Sequence, residues 1–273
     1  MDRKDFILSL FDNSGVGLEV SPSYNPIIPK SSGMRVETVD HATADQLRQK
    51  YKNDSSVDIS KIEEVDYVSG GGSISKAIGK TDFYDYILAS HVIEHLPDLI
   101  GFLKDCESLL KRDGVLVLAV PDKRYCFDIL QPLTGTGDLL QAHLEGRDRH
   151  PPGRIFDFIA YRALRGKAIT WDATSDGTLS FEFTLEEAKN LFDTCQSSDH
   201  FHDIHTWRFT PSSFRLILRD LAHIDVTGLR EERFHETVGC EFYMSLSKSS
   251  AGCPLDRLTL AQAAMDEQRT GII

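Results

Sequence analysis

Phe83–Asp122, FYDYILASHVIEHLPDLIGFLKDCESLLKRDGVLVLAVPD, decides the fold of this chain. Tyr84–Ala89 reads as a strand. Asp98–Leu110 then sets Leu99, Phe102, Leu103, Cys106, Leu109 and Leu110 at helical spacing. Asp113-Gly114 reads as a turn. Val115–Val120 is apolar at every position, as expected of a strand buried on both faces. Strand, helix and strand in one stretch make a βαβ unit, which requires parallel strands joined by a right-handed crossover.

The pattern continues upstream, where Val16–Val20, Arg35–Asp40 and Glu64–Val68 read as strands. Thr43–Tyr51 is a polar helix between the last two, and Gly70-Gly71-Gly72 follows the third strand. Downstream, Pro211–Leu221 is an amphipathic helix, and Ile224–Leu229 and Glu241–Leu246 read as two closing strands. Between these halves, residues 131–206 are polar and rich in Gly, His and Asp, with helices expected at Phe156–Leu164 and Thr184–Thr194. The expectation is an α/β fold: a Rossmann-like, doubly wound, mostly parallel seven-stranded sheet with an inserted helical lid. Residues 1–130 and 207–250 form the cofactor-binding core. Residues 131–206 form the lid and substrate region, and residues 251–273 a tail with a helix over Pro254–Gln268.

Bulk properties narrow the function. The chain has 273 residues, enough for a large single core, and its 41% apolar and 26% charged content is that of a globular protein. A net charge of −12 argues against nucleic acid or an anionic membrane as the main partner. No run of about 20 apolar residues could span a bilayer, and the start, MDRKDFILSLFDNSG, has too short an apolar run for a signal peptide. Five widely spaced cysteines (106, 126, 195, 240 and 253) suggest free thiols in a reducing compartment. A cytoplasmic protein is expected.

In open parallel sheets the ligand binds at the carboxyl ends of the strands. Glu19 ends the first strand and Asp40 the second, 21 residues later. In dinucleotide folds an acid at about that spacing bonds ribose hydroxyls; Asp40 could otherwise cap the helix that follows. The loop VGLEVSPSYNP (16–26) lacks the glycines a pyrophosphate requires and carries Ser21 and Ser23 instead. A nucleoside ligand without phosphates has less need of them.

Phe83–Asp122, with its SHVIEHL segment, charged-Gly turn and Pro-Asp after the apolar strand, resembles class I S-adenosylmethionine-dependent methyltransferases. The resemblance spans Val16–Asp122 and returns weakly in the last two strands. GLEVSPSYNPIIPK is similar to the first motif of a bacterial subgroup associated with sugar and polysaccharide biosynthesis, although Ser21-Pro22 stands where that subgroup has Gly-Pro. The resemblance implies S-adenosylmethionine as cofactor. Glu19 and Ser21 would line its methionine end and Asp40 its ribose, with His41 alongside. Asp66 or Tyr67 would meet the adenine, and Ser90 and His91 the amino acid and sulfonium.

Methyl transfer to a hydroxyl gains from a general base. His95 is the first candidate, His91 the second, and Asp122 a third group that could bind or orient substrate. His91 and His95 would share a face if their segment is helical, and Glu94 adjoins His95. The segment SSDHFHDIHTWRFTP holds His200, His202, Asp203 and His205, but its spacing matches no strong zinc motif and no metal is assigned. Tyr125, His205 and Trp207 are expected to face the acceptor, although Trp207 could equally be core. His143, His150 and Arg154 could also line the lid.

The leading expectation is an enzyme that methylates a small-molecule or glycan acceptor. Alternatives are a methyltransferase-like module that serves a glycosyltransferase partner without catalysis, and an NAD-dependent oxidoreductase. The missing glycine loop and the lack of a Tyr-x-x-x-Lys pair weigh against the last. A homodimer is left open.

Overall fold

A computed structural model describes residues 2–198 and 200–270. The main sheet contains β1 (Gly17–Val20), β2 (Val36–Asp40), β3 (Tyr67–Val68), β4 (Tyr84–Ser90), β5 (Leu110–Pro121), β8 (Arg230–Val238) and β9 (Glu241–Ser247). Its order is β3-β2-β1-β4-β5-β9-β8, with the first five strands parallel and β9 antiparallel to both its neighbours. The expected seven-stranded, mostly parallel sheet is therefore present. Strand order reverses between β1 and β4, the position at which such sheets open a ligand crevice.

The helices are α1 (Arg3–Leu8), α2 (Ala44–Tyr51), α3 (Ile74–Ile78), α4 (Leu99–Leu109), α5 (Thr136–Leu144), α6 (Pro152–Ala160), α7 (Leu185–Cys195), α8 (Pro211–His223) and α9 (Arg257–Thr270). A small hairpin joins β6 (Ala163–Arg165) to β7 (Leu179–Phe181). No helix among the described residues is long and apolar enough to cross a membrane.

Helix starts follow capping chemistry. Thr43 accepts from the Gln46 amide while Gln46 accepts from the Thr43 amide, and Thr184 and Glu187 repeat the exchange. Asp98 caps α4 through the Gly101 amide at 2.9 Å. A Cβ on Gly101 would lie 2.6 Å from that carboxylate, so the cap fits closely over the first turn.

Alternation along β5 divides its side chains between two cores. Leu116, Leu118 and Val120 pack with α4 and α8 through Leu103, Cys106, Phe214 and Leu218. Val117 and Ala119 face Ile7, Ile28, Tyr86 and Tyr243 on the other side. Burial of a Leu or Ile of this kind is worth about 1.5–3 kcal/mol.

Four sequence expectations are corrected. Asp113-Gly114 is not a turn: it lies inside β5, where the register against β4 shifts between Tyr84 and Tyr86. Ile224–Leu229 is not a strand; Ile224 is exposed, and the strand is the polar β8 that follows. As an edge strand, β8 carries charges outward and lacks the apolar alternation that marks an inner strand. The expected helix over Phe156–Leu164 stops at Ala160, and residues 163–165 pair in the hairpin. Segment 131–206 accordingly holds α5, α6 and α7 together with that hairpin rather than helices alone.

Candidate active site

The carboxyl ends of β1, β2, β3, β4 and β5 gather Val20, Asp40, Val68, Ser90 and Pro121 along one edge of the sheet. Because β9 runs the other way, its first residue, Glu241, arrives at the same edge opposite Pro121.

The loop after β1 turns through two left-handed serines, Ser21 at φ 51° and Ser23 at φ 50°. Serine therefore keeps the backbone shape that glycine usually supplies. The Ser21 amide donates to Val39 O at 2.7 Å, and the Ser23 amide donates to Asp40 Oδ2 at 3.1 Å. Glu19 does not line an open methionine site. It is buried and accepts from the Ile27 and Ile28 amides at 2.6 and 2.9 Å, so it clamps the far end of this loop. Burial, only partly offset by those two bonds, pushes its carboxyl up to about 7.

Asp40 sits at the strand end as expected. Its Oδ1 accepts from the His41 amide at 2.7 Å and lies 2.6 Å from His41 Nδ1. The adenine assignment to Asp66 or Tyr67 is corrected. Asp66 precedes β3 and bonds Lys30 and the Thr38 amide, and the Tyr67 hydroxyl donates to Glu37. Sequence reading placed the strand early because Glu64–Val68 alternates; only its last two residues pair. The residues that follow β3 are Ser69–Gly72, with the Ser69 amide donating to Asp40 O.

After β4, Ser90 Oγ accepts from Arg3 Nη2 at 2.7 Å, and Arg3 also grips Glu241 through two bonds. His91, left-handed at φ 53°, sets Nε2 2.7 Å from Glu241 Oε2. Burial opposes charge on Glu241, but the bonds from His91 and Arg3 prevail and bring its carboxyl down to about 2. The segment is not a regular helix, since residues 93–95 form one 3-10 turn. His91 and His95 nevertheless both turn toward Glu94, which lies between them.

Glu94 is 1% exposed, and neither carboxylate oxygen has a hydrogen-bond partner among the described residues. Three histidine nitrogens surround its Oε1: His91 Nδ1 at 3.7 Å, His95 Nε2 at 3.8 Å and His205 Nε2 at 3.9 Å. His95 Nδ1 lies 2.7 Å from Asp203, and His205 Nδ1 lies 2.6 Å from Asp128. Burial works against charge on His95, but Asp203 and Glu94 outweigh it and raise the ring above its ordinary value. His150 is buried close by with neither nitrogen partnered among the described residues, and burial together with repulsion from His95 lowers it to about 4. Of the His-rich segment, Asp203 and His205 thus reach the strand ends, whereas His200 and His202 meet each other edge to face.

Several candidates are taken by structural roles. Asp122 is fully buried, holds Arg124 through both oxygens and accepts from Thr237, which leaves little of it for substrate. Trp207 belongs to the main core and donates its indole N–H to Leu96 O. Tyr125 packs beside Ile129, Ala163 and Trp171. His143 pairs with Asp98 and Lys104, and Arg154 with Asp138.

Arg3, Asp128 and Glu241 escaped sequence reading. Glu241 could have been found by asking which end of an antiparallel last strand meets the ligand edge. Arg3 and Asp128 carry no local signal. Two concavities lie elsewhere, one beside α8 and β8 and one on segment 131–206, and neither is lined by the carboxyl-end residues of β1–β5.

A family model for a methyltransferase domain matches residues 10–221. No curated protein matches the chain. Among solved structures, the chain is similar to an S-adenosylmethionine-dependent methyltransferase from Aquifex aeolicus, with 14% identity, coverage of 89% of this chain and 87% of that one, and a TM-score of 0.42. It is also similar to the CcbJ methyltransferase from Streptomyces caelestis, with 13% identity, 89% and 93% coverage, and a TM-score of 0.45. A Rhodobacter sphaeroides structure described among the zinc-dependent alcohol dehydrogenases gives 15%, 90% and 89%, and 0.47. Likenesses this distant carry no assignment, which rests on the family match. Matched over residues 10–221 of its 273, the chain belongs to the methyltransferase domain family.

Proposed function

We propose that this enzyme transfers the methyl group of S-adenosylmethionine to a hydroxyl of a small-molecule or glycan acceptor by in-line displacement. The observation that carries the reading is the meeting of the left-handed Ser21–Ser23 loop, Asp40 and the His91–Glu241 pair at adjacent strand ends. Asp40 stands at the end of β2, where a ribose is expected, but it is buried under the Ser23 and His41 amides, so the loop after β1 has to open for a ribose hydroxyl to reach it. Ser69–Gly71 take the adenine position in place of Asp66 and Tyr67. Ser90, with Arg3 behind it, meets the amino-acid end of the cofactor.

The sulfonium is already activated, so alignment is the protein's main contribution, worth about 7–11 kcal/mol at best. The acceptor proton still has to leave. Between the two histidine candidates, His91 is favoured over His95. Its Nε2 is committed to Glu241, which leaves Nδ1 to accept a proton, and it stands directly at the end of β4. Segment 131–206 closes the acceptor side. A sugar acceptor follows from the likeness of the first loop to the polysaccharide-associated subgroup, and a glycosyltransferase would then act on the same chain of sugars. A cytosolic setting fits five free thiols.

Calorimetric titration with S-adenosylmethionine, S-adenosylhomocysteine and NAD tests the cofactor. Micromolar binding of the first two, lost in Asp40→Ala, is the expected result; binding of NAD alone would overturn the reading. With an acceptor found among nucleotide sugars, His91→Ala should lower kcat by about 10²–10⁴-fold.

A further inference from the structure

We propose that Glu94, His95 and His205 form a binding site for one divalent transition-metal ion, with Zn²⁺ the preferred occupant. The three side chains each offer a ligand atom, and these atoms all lie within 4.8 Å of one another. Four-coordinate zinc at about 2.1 Å from each ligand needs donor atoms roughly 3.4 Å apart. Glu94 Oε1 stands 3.8 Å from His95 Nε2 and 3.9 Å from His205 Nε2, and with all three ligand atoms within 4.8 Å of one another the side chains have to draw together to meet an ion.

Two further observations point to an ion rather than to a chance cluster. The first is Glu94 itself. A carboxylate 1% exposed with neither oxygen hydrogen-bonded among the described residues is costly unless something positive meets it. The second is the orientation of both imidazoles. Each ring has Nδ1 beside a carboxylate, Asp203 at 2.7 Å for His95 and a hydrogen-bonded Asp128 at 2.6 Å for His205, and turns Nε2 toward Glu94. A carboxylate behind each histidine is the usual arrangement in metal sites, because it fixes the tautomer that leaves Nε2 free to bind and makes that nitrogen a better donor. Two imidazoles with one carboxylate suit Zn²⁺, Fe²⁺ or Co²⁺, whereas Mg²⁺ and Ca²⁺ favour oxygen donors throughout.

Three protein ligands leave a coordination position for an outside oxygen, and His91 Nδ1 lies 3.7 Å from Glu94 Oε1 on the cleft side. The role of the ion rests on the methyl-transfer reading. A hydroxyl bound to the metal loses its proton more readily. That proton passes to His91 Nδ1, the acceptor oxygen forms its bond to the methyl carbon, and the carbon–sulfur bond breaks to leave a neutral thioether. The ligands lie far apart in the sequence, at 94–95 and at 205, and so no local spacing revealed them.

The test uses the full, untagged chain, treated with chelator and dialysed. Titration with CoCl₂ is followed by visible d–d absorption, and ZnCl₂ is added in competition. The expected result is one Co²⁺ per chain, displaced by Zn²⁺. Glu94→Gln and His205→Gln should weaken binding by at least about 100-fold, and Asp128→Asn by about 10–100-fold. Circular dichroism certifies each variant as folded. Should His205→Gln fail that check, the near-isosteric Glu94→Gln decides. Absence of saturable Co²⁺ binding overturns the proposal, as does binding unchanged in folded Glu94→Gln. S-adenosylmethionine binding measured on the same samples separates the two readings: Co²⁺ bound without the cofactor would keep the metal site and discard methyl transfer.

Discussion

Ser21 and Ser23 hold backbone angles that side-chain-bearing residues rarely adopt. A left-handed non-glycine residue costs about 1–2 kcal/mol, while glycine loses about 0.5–1 kcal/mol to its freer unfolded chain. Ser21→Gly should therefore unfold at the same temperature or slightly above, and Ser21→Val should unfold well below it. A clear drop for the glycine variant in thermal melts would mean that the hydroxyl, rather than the backbone, is what matters there. Glu19 supplies a second residue-scale prediction. Its carboxyl stands near 7 in the folded chain against 4.5 as the ordinary value. Between those pH values the folded state holds more of this proton than the unfolded state, so stability falls as pH rises and levels off above about 7. In Glu19→Gln that part of the slope should vanish, as read from urea midpoints of both proteins from pH 4.5 to 8. The acids at 19 and 40 were legible as strand ends. Their partners were not, because the Ile27, Ile28 and Ser23 amides meet them only once the loop has turned.

At the scale of elements, α2, α4 and α7 were legible because their caps and apolar faces are local. Thr43→Ala should cost about 1 kcal/mol in chemical denaturation, since it removes one half of a capping box. β8 was not legible: an edge strand needs few apolar residues, and its pairing is supplied by β9. The shift inside β5 is a further case. A Cβ on Gly114 would lie 2.8 Å from Tyr84 O, a backbone atom that cannot step aside. Gly114→Ala should therefore destabilise the chain by roughly 1–3 kcal/mol, and an unchanged urea midpoint would show that β4 and β5 can reset their register. Asp-Gly suggested a turn only because the same residue pair serves both tight turns and bulged strands.

For the whole molecule, the cofactor reading predicts a ligand-dependent stability. S-adenosylmethionine at about 100 times its dissociation constant should add about 2.7 kcal/mol to unfolding, seen as a higher melting temperature, while NAD adds nothing. Equal stabilisation by both would contradict the nucleoside reading of the loop. Sequence alone determined the alternation of strands and helices and the parallel sheet, since periodicity and turn chemistry are written in neighbouring residues; the family came from the resemblance of Phe83–Asp122 and from the family match. Only the tertiary structure decided which side chains share the strand edge. Arg3, Glu94, Asp128, His205 and Glu241 come from separate parts of the chain. Their nearness depends on an antiparallel last strand and on residues 203–209 returning over the sheet, where the Thr206 amide donates to Glu94 O at 2.8 Å. Distances between such residues are set by packing, and no spacing along the chain encodes them.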